Sequence, residues 1–263
     1  NVFTDFSWFK YLKNNMTVFF LAYNNNLYEL EKDKNYLKQI VIFCTNFNEY
    51  IIKKNIKINF IFTSTATIYG ITGGKEIVNE NFPNNPISIY DYSKLLFEKI
   101  FQYFSIESNI NFVSLRLSNI YGYNLIGKQK NRGFLNKIIY NTINKKEINI
   151  LGNGFNKRSY LYIDDLVKAL IITAKKIKKL KSKEILVCGD VSHSFNEVLN
   201  IIYKSLNIRM KIKKKKYTKR THSIEKRSFI GNNNLFKKKT GWKPSIKLHD
   251  GINKIIKQNL NKI

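Results

Sequence analysis

In the first half of the chain, short and largely apolar runs alternate with longer segments in which apolar residues recur every three or four positions. Three of the apolar runs have the length of strands: residues 16–23, 58–70 and 110–122. Two segments of helical periodicity lie between them: residues 36–54 and 90–108. Because strands without a polar face must be covered on both sides, this order predicts a parallel sheet with helices on both faces.

After residue 122 the pattern changes to a mixture of shorter strands and helices. Strands are predicted at residues 148–154 and 184–189, and helices at residues 134–146, 160–176, 194–206 and within 240–256, the second of these starting as a strand. Ser194 is the expected N-cap of its helix, and Asp164 or Asp165 is the expected N-cap of the helix that follows residues 160–163.

Length and composition are those of a folded protein with a sizeable core, since 43% of the 263 residues are hydrophobic. No apolar run reaches the ~18 residues that a membrane helix needs, and the first residues do not resemble a signal peptide. Cys44 and Cys188 lie in apolar surroundings without the spacing of a metal site. We therefore expect two buried, reduced thiols, a cytoplasmic location and no bound metal.

The formal net charge of +28 raises the question of a polyanionic partner. Most of this charge comes from lysines scattered along the chain, which does not indicate an evolved patch. The exception is residues 208–220 (IRMKIKKKKYTKR), which we interpret as a solvated segment. Polyanion binding stays an alternative, and it would depend steeply on salt. We expect no specific nucleic-acid partner and no membrane.

A tyrosine and a lysine in the segment IYDYSKLLFEKI form the first candidate for chemistry. Tyr90 and Lys94 are at positions i and i+4, so they share one face of the predicted helix. A tyrosine with a pKa of ~10 is a poor base at neutral pH, and lowering that pKa by ~3 units takes roughly 4 kcal/mol. A nearby ammonium and a positively charged nicotinamide would supply that free energy. A hydroxyl at the end of the preceding strand, residues 63–67, could share a substrate hydrogen bond with Tyr90.

Five motifs extend this candidate into a resemblance. The segments FIFTSTATIYG, YDYSK, RLSNIYG, GNGFNKRSYLYIDD and TGWKP are similar, in type and order, to the signature of the extended short-chain dehydrogenase/reductase family. That family contains the nucleotide-sugar epimerases and dehydratases. The resemblance implies a Rossmann-type, doubly wound parallel sheet in an α/β fold, with a smaller C-terminal α/β substrate domain. The domains would comprise residues 1–120 with 160–190, and residues 121–159 with 191–263.

The resemblance also implies roles for particular residues. Tyr90 would be the catalytic base or acid, Thr65 the catalytic hydroxyl, and Lys94 the group that lowers the pKa of Tyr90 and holds the nicotinamide ribose. Asn119 and Arg158 would contact the nucleotide sugar, Arg158 by its planar cation on the diphosphate. Three further residues would lie against the cofactor, NAD or NADP: Leu21, Ala22 and Thr63.

Several other polar residues have less specific interpretations. Tyr92 is a rival to Tyr90, but four positions later it meets Leu96 and not a lysine. Glu98 is interpreted as a charge on the surface of the helix, and Asp165 as a structural cap in preference to a catalytic acid. Three histidines without metal spacing are interpreted as surface residues: His193, His222 and His249.

Two departures from the family pattern concern the cofactor. The family binds its dinucleotide with a Gly-rich turn after the first strand, and no such motif occurs in this sequence. We therefore expect the chain to begin near the end of the third strand of the family fold, with ~60 residues, two βα units, preceding it in its relatives. Without that turn the choice between NAD and NADP is not readable, and tight cofactor binding is not expected. Val41 stands where the family usually has an asparagine.

The residues after Thr65 bear on the type of reaction. Dehydratases and decarboxylases of this family resemble one another in an acidic residue one or two positions later, whereas this chain has Ala66 and Thr67. The segment STATIYG is instead similar to that of the UDP-sugar 4-epimerases. We expect a nucleotide-sugar epimerase acting as a homodimer, with polysaccharide precursors as a suggested context. The alternatives are a keto-sugar reductase or dehydratase of the same family, and a non-catalytic remnant that binds nucleotide sugar.

Overall fold

The computed structural model describes residues 2–24, 26–122, 134–180, 183–208, 211–216 and 226–260. The strands are β1 (Met16–Phe20), β2 (Ile58–Thr65), β3 (Ile77–Val78), β4 (Ile110–Leu117), β5 (Asn119–Tyr121), β6 (Ile148–Leu151), β7 (Lys157–Tyr162), β8 (Lys183–Val187), β9 (Ser192–Ser194), β10 (Ile212–Lys215) and β11 (Ile230–Gly231). The α-helices are α1 (Leu27–Lys32), α2 (Tyr36–Lys54), α3 (Ile89–Glu107), α4 (Phe134–Ile143), α5 (Ile163–Lys175), α6 (Ile177–Leu180), α7 (Phe195–Leu206), α8 (Asn234–Thr240) and α9 (Leu248–Leu260).

The predicted parallel sheet is confirmed. Its strand order is β1-β2-β4-β8, and all three neighbouring pairs are parallel. The predicted helices of the first half correspond to α2 and α3 within one residue at each end. As the carboxyl ends of parallel strands meet at one edge of a sheet, the residues that follow β1, β2 and β4 are brought together there.

Alternate residues of β2 explain why both faces of the sheet are covered. Phe60 and Phe62 are fully buried in an aromatic core with α2 and α3, where the rings of Phe62 and Phe97 stack at a centroid distance of 4.2 Å. Ile61, between them, is buried in a separate cluster with residues of β4, α5 and β8. Because side chains alternate across a strand, one apolar run supplies both cores.

The second half of the chain builds a further core beside the carboxyl edge. Strands β5, β7 and β9 form one small sheet, and β6 pairs with β10 in another. Helices α4, α7 and α9 cover them through Ile139, Val198, Ile202, Ile252 and Ile255. Helices α5 and α6 pack instead on the central sheet, of which β8 is a strand. The division into cofactor and substrate domains stays a prediction.

The interpretation of Glu98 as a surface charge was wrong. Its side chain is fully buried between α3 and β4 and receives a hydrogen bond of 2.7 Å from Nη2 of Arg116, itself 2% exposed. Ser114 Oγ donates to the same carboxylate, and Nη1 of Arg116 donates to the hydroxyl of Tyr69. Sequence periodicity alone cannot show this, since the complementary charge comes from a distant strand.

The N-cap expected at Asp164 or Asp165 was also wrong, because the N-cap of α5 is Tyr162, two residues before Asp164. Asp165 is fully buried and accepts hydrogen bonds from Ser245 N and Ile246 N, both at 2.8 Å. Its role is structural, as expected, but it joins α5 to the segment before α9. The cap at Ser194 is confirmed as a capping box with Glu197.

Other predictions have mixed outcomes. Cys44 and Cys188 are buried free thiols, as expected. His193 is partly buried beside Glu197, whereas His249 is exposed. His222, residues 123–133 of the loop, and residues 209–210 and 217–220 of the basic segment lie outside the described residues. Among the helices that the structure describes, none has the length and apolarity of a membrane span.

Candidate active site

A cavity of about 400 Å³ opens at the carboxyl ends of β2 and β4. The turn after β2 forms one wall, β5 and β7 form another, and residues of β6 and the segment before β11 complete it. The sequence-predicted residues in its lining are Thr65, Asn119 and Arg158. The fold thus brings three residues that are far apart in the sequence to the same cavity.

Thr65 ends β2 and is also the N-cap of a short 3-10 helix, Ala66–Tyr69. Its Oγ1 accepts a hydrogen bond from Thr67 N at 3.2 Å and lies 2.9 Å from Thr67 Oγ1. Gly70 then closes the turn at a φ of 72°, and a Cβ there would lie 2.0 Å from the carbonyl oxygen of Asn85. Only glycine fits this position, so the turn holds both threonine hydroxyls at the cavity.

Tyr90 lies in the first turn of α3, which is anchored by a capping box. Ser88 Oγ accepts from Asp91 N, and the Asp91 carboxylate accepts from Ser88 N. The side chain of Thr65 is close enough to Tyr90 to lower the pKa of the phenol. The two hydroxyls needed for proton transfer at a substrate oxygen are therefore neighbours.

The pKa of Tyr90 is raised, whereas base catalysis at neutral pH requires a lowered pKa. Burial of the phenol, the Asp91 carboxylate and Tyr36 raise it to about 12. Thr65 lowers the pKa of Tyr90 through its side chain, but less than burial raises it. Nζ of Lys94 lies 5.6 Å from the centre of the Tyr90 ring. In the protein without cofactor, Tyr90 is therefore a neutral phenol, the form that donates a proton.

Lys94 is buried deeply for a lysine, with 2% of its surface exposed. Its Nζ donates to the carbonyl oxygen of Thr63 at 2.6 Å and lies 3.6 Å from the ring centre of Tyr23. Burial lowers the pKa of Lys94 well below its ordinary value, and Glu98 opposes this shift. A lysine in such surroundings changes its charge readily when an anion or a polar ligand arrives.

The residues at this end of the sheet fit the nicotinamide half of a dinucleotide. An ammonium has three donors, and among the described residues Thr63 accepts from one of them, which leaves donors for ribose hydroxyls. Leu21 and Ala22 follow β1 and are exposed beside this region, whereas Thr63 Oγ1 donates to Phe20 O. Val41 lies on the exposed side of α2. Tyr92 is 54% exposed, in contrast to Tyr90.

Two residues that sequence reasoning missed lie beside the predicted ones. Arg227 lines the cavity at 7% exposure and forms an ion pair with Asp91, which is fully buried. From the sequence, Asp91 can be interpreted only as part of a helix cap, since Ser-x-x-Asp is a capping pattern. Arg227 comes 136 residues later, and nothing in the local sequence distinguishes it from the many other basic residues.

Comparisons with known proteins agree with this architecture. A model of the "NAD dependent epimerase/dehydratase family" matches residues 5–189. The bifunctional polymyxin resistance protein ArnA of Wigglesworthia glossinidia brevipalpis is 26% identical over 96% of this chain and 39% of its own length. The dTDP-4-dehydro-6-deoxyglucose reductase of Escherichia coli is 30% identical over 93% of this chain and 75% of its own length.

Solved structures support the fold. The UDP-glucose 4-epimerase of Thermotoga maritima, solved with UDP-glucose, superposes with a TM-score of 0.81 over 94% of this chain and 77% of the other, at 23% identity. The chain spans 33% to 60% of the length of five curated relatives that it matches.

Proposed function

Because this chain belongs to the NAD dependent epimerase/dehydratase family, we propose that it acts on a nucleotide-diphosphate sugar and inverts a sugar hydroxyl by transient oxidation. The observation that carries the proposal is one cavity lined by both Thr65 and Arg158, with Thr65 acting as a neighbour that lowers the pKa of Tyr90. A hydroxyl beside the proposed proton-transfer group and a cation suited to a diphosphate thus line the same cavity.

In the proposed mechanism, Arg158 and Asn119 hold the diphosphate and the adjoining sugar at the cavity wall. Thr65 and Tyr90 bind the reacting hydroxyl, and Tyr90 takes its proton and later returns it. Lys94, charged when ligand is present, favours the phenolate form of Tyr90. The absence of a carboxyl group at Ala66 and Thr67 argues against water elimination through those positions.

NAD or NADP, if bound, would accept the hydride from the sugar carbon and return it. Lys94 and the backbone after β1 would hold its nicotinamide end. A dinucleotide also needs a cradle for its pyrophosphate, and the sequence of this chain contains no Gly-rich turn for it. The proposed activity therefore requires that NAD or NADP binds to this chain, and this binding must be measured. A homodimer is proposed from the family resemblance alone.

A keto-sugar reductase is the second candidate, and two observations favour it. The reductase of E. coli is 30% identical over 93% of the chain. The pKa of Tyr90, raised to about 12, also suits a group that donates a proton to a keto oxygen. The two candidates differ in stoichiometry, because a reductase consumes reduced nicotinamide whereas an epimerase recycles its cofactor.

The experiment incubates the chain with UDP-glucose and NAD and follows the sugar by proton NMR. An epimerase forms the 4-epimer without net reduction of NAD, and Tyr90→Phe should lower the rate by about 10²–10⁴-fold. Tyr92→Phe is the matched control and should retain the rate, since that ring is exposed. A 4-keto sugar nucleotide with NADPH tests the reductase in parallel. If neither reaction occurs in the presence of bound UDP-glucose, the catalytic proposal is wrong.

A further inference from the structure

The ring of Tyr23 covers the ammonium group of Lys94 at the carboxyl edge of the central sheet. Nζ of Lys94 lies 3.6 Å from the ring centre of Tyr23, against 4.6 Å for Phe62 and 5.6 Å for Tyr90. A cation is attracted to the face of an aromatic ring, most strongly where water is excluded. Because Lys94 is only 2% exposed, the Tyr23 ring takes a place beside the ammonium that water or a ligand would otherwise occupy.

The hydrogen bonds of Lys94 leave part of its ammonium available to a ligand. One of its three donors is used on the carbonyl oxygen of Thr63 at 2.6 Å, and the described residues offer Nζ no second hydrogen-bond acceptor. The other donors therefore face aromatic surface in place of oxygen. Two neighbouring hydroxyls of a ribose would be better acceptors than these rings, but a ribose must first reach Nζ.

Of the three rings around Nζ, Tyr23 is the one that can move aside. Phe62 is fully buried in β2, and Tyr90 lies in the first turn of α3. Tyr23 is partly exposed and belongs to residues 21–24, which follow β1 and form neither helix nor strand. The Tyr23 ring can therefore turn outwards without breaking the backbone hydrogen bonds of an element.

Contacts of the side chain alone hold the Tyr23 ring over Lys94. Its hydroxyl donates to Ser93 Oγ at 2.9 Å, and Ser93 Oγ in turn donates to the carbonyl oxygen of Tyr90. The edge of the ring packs against Phe3 at a centroid distance of 5.3 Å. Since all of these contacts involve the side chain of Tyr23, one change of rotamer releases them together.

We propose that Tyr23 gates access to Lys94: its ring covers the ammonium in the closed position, and a nicotinamide ribose reaches Nζ only after the ring has turned outwards. The proposal rests on the proposed function for the identity of the ligand, since it takes Lys94 as the residue that holds the ribose. The cover itself is a property of the described side chains. A site that is open for a fraction of the time binds with its affinity lowered by that fraction, so removal of the ring should strengthen binding.

The first measurement is the access of a reagent to Lys94, and it needs no ligand. Reductive methylation of lysines at alkaline pH is followed by mass spectrometry of peptides, with the exposed Lys53 as internal reference. In the wild type, Lys94 should react much more slowly than Lys53. In Tyr23→Ala its rate should approach that of Lys53, whereas Tyr23→Phe, which keeps the ring, should stay below Tyr23→Ala. An equally slow reaction of Lys94 in wild type and Tyr23→Ala would overturn the proposal.

The second measurement is the binding of NADH, followed by the fluorescence of its reduced nicotinamide. For a gate that is closed about 90% of the time, Tyr23→Ala should bind NADH about tenfold more tightly than wild type. The gain should disappear when Lys94→Met is added to Tyr23→Ala, because the ribose then lacks its donor. Tyr92→Ala is the matched control, since that ring is 54% exposed on α3, and it should leave both measurements at their wild-type values. Equal affinity in wild type and Tyr23→Ala, or binding by neither, would overturn the proposal.

A second variant keeps the test decisive if Tyr23→Ala does not fold. Tyr23→Leu retains an apolar side chain against Phe3 and Tyr36 but lacks the ring, so the same results are expected of it. Neither measurement depends on turnover. The proposed function fails when bound UDP-glucose undergoes neither reaction, whereas the gate fails when removal of the ring leaves access to Lys94 or affinity for NADH unchanged.

Discussion

At the scale of single residues, the surroundings of Lys94 have a consequence for stability. The ammonium is enclosed by the rings of Tyr23, Phe62 and Tyr90 and has 2% of its surface exposed. Burial lowers its pKa in the folded protein, whereas in the unfolded chain the pKa is near 10.5. Between these two values the unfolded chain holds a proton that the folded chain lacks, so acid favours unfolding and stability rises with pH.

We predict that Lys94→Met removes this rise. In the window below pH 10.5, wild-type stability should increase by up to about 1.4 kcal/mol per pH unit relative to the variant. Urea denaturation at pH values from 7 to 9.5 measures the difference. Lys53→Met, at an exposed position of α2, should run parallel to wild type. If the Lys94→Met curve also ran parallel, Lys94 would not have a lowered pKa.

The sequence predicts pairs of site residues that are close along the chain. It does not predict pairs whose two members are distant along the chain. Tyr90 and Lys94 could be paired because four positions along a helix bring them to one face. Glu98 lies four positions after Lys94, but it is buried in an ion pair with Arg116 of β4. The local sequence around Glu98 does not indicate this distant partner. The same holds for Asp91 and Arg227, whose ion pair joins residues 136 positions apart.

At the scale of elements, Asp165 links α5 to the segment before α9. Its carboxylate accepts from Ser245 N, Ile246 N and Ser245 Oγ, and its own carbonyl oxygen accepts from Trp242 Nε1. Burial raises the pKa of Asp165, but these hydrogen bonds outweigh burial, so the pKa lies below its ordinary value of 3.8. Its contribution to stability is therefore present above pH 3.8 and is lost as the pH falls through the lowered value.

We predict that Asp165→Ala costs about 3 kcal/mol at pH 7, because three donors lose a charged acceptor and one or more stay buried. Asp164→Ala is the matched control, since Asp164 is the exposed neighbour in the same turn. Guanidinium denaturation should show the difference between the variants at pH 7 and a smaller one towards pH 3. Equal stabilities at pH 7 would show that the segment before α9 is held by its apolar contacts.

The positions of strands and helices could be predicted from the sequence because buried residues recur with the periodicity of each type of element. The run at residues 58–65 supplies both faces of the sheet, which explains why it could be assigned to a parallel strand without alternation. The N-cap of α5 was misplaced by two or three residues, because two aspartates with cap propensity follow shortly after β7. Their side chains serve long-range contacts, and propensity does not distinguish these from a cap.

At the scale of the whole molecule, the large positive charge matters for anionic ligands and not for the fold. The exposed strand β10 carries Lys213, Lys214 and Lys215 and pairs with β6, whose residues line the cavity. A net charge of +28 attracts any polyanion at low ionic strength. Binding of a nucleotide must therefore be measured at physiological salt and against a charge-matched variant.

The last prediction concerns what the chain binds. We expect UDP-glucose to raise the thermal midpoint of unfolding, since a ligand at 100 times its Kd adds about 2.7 kcal/mol to the folded state. For a chain of this size that is a shift of roughly 2–4 °C per kcal/mol. Arg158→Ala should abolish most of the shift, because Arg158 lines the cavity.

Lys157→Ala is the control of equal charge change, and it should retain the shift because Lys157 is an exposed neighbour on β7. Adding NAD in the same assay separates the candidates: a further shift that Lys94→Met removes would indicate that the nicotinamide end is bound at Lys94. A shift with UDP-glucose and none with NAD would leave a nucleotide-sugar binding protein without catalysis. If Arg158→Ala and Lys157→Ala lost the shift equally, the net charge and not the cavity would be responsible for binding.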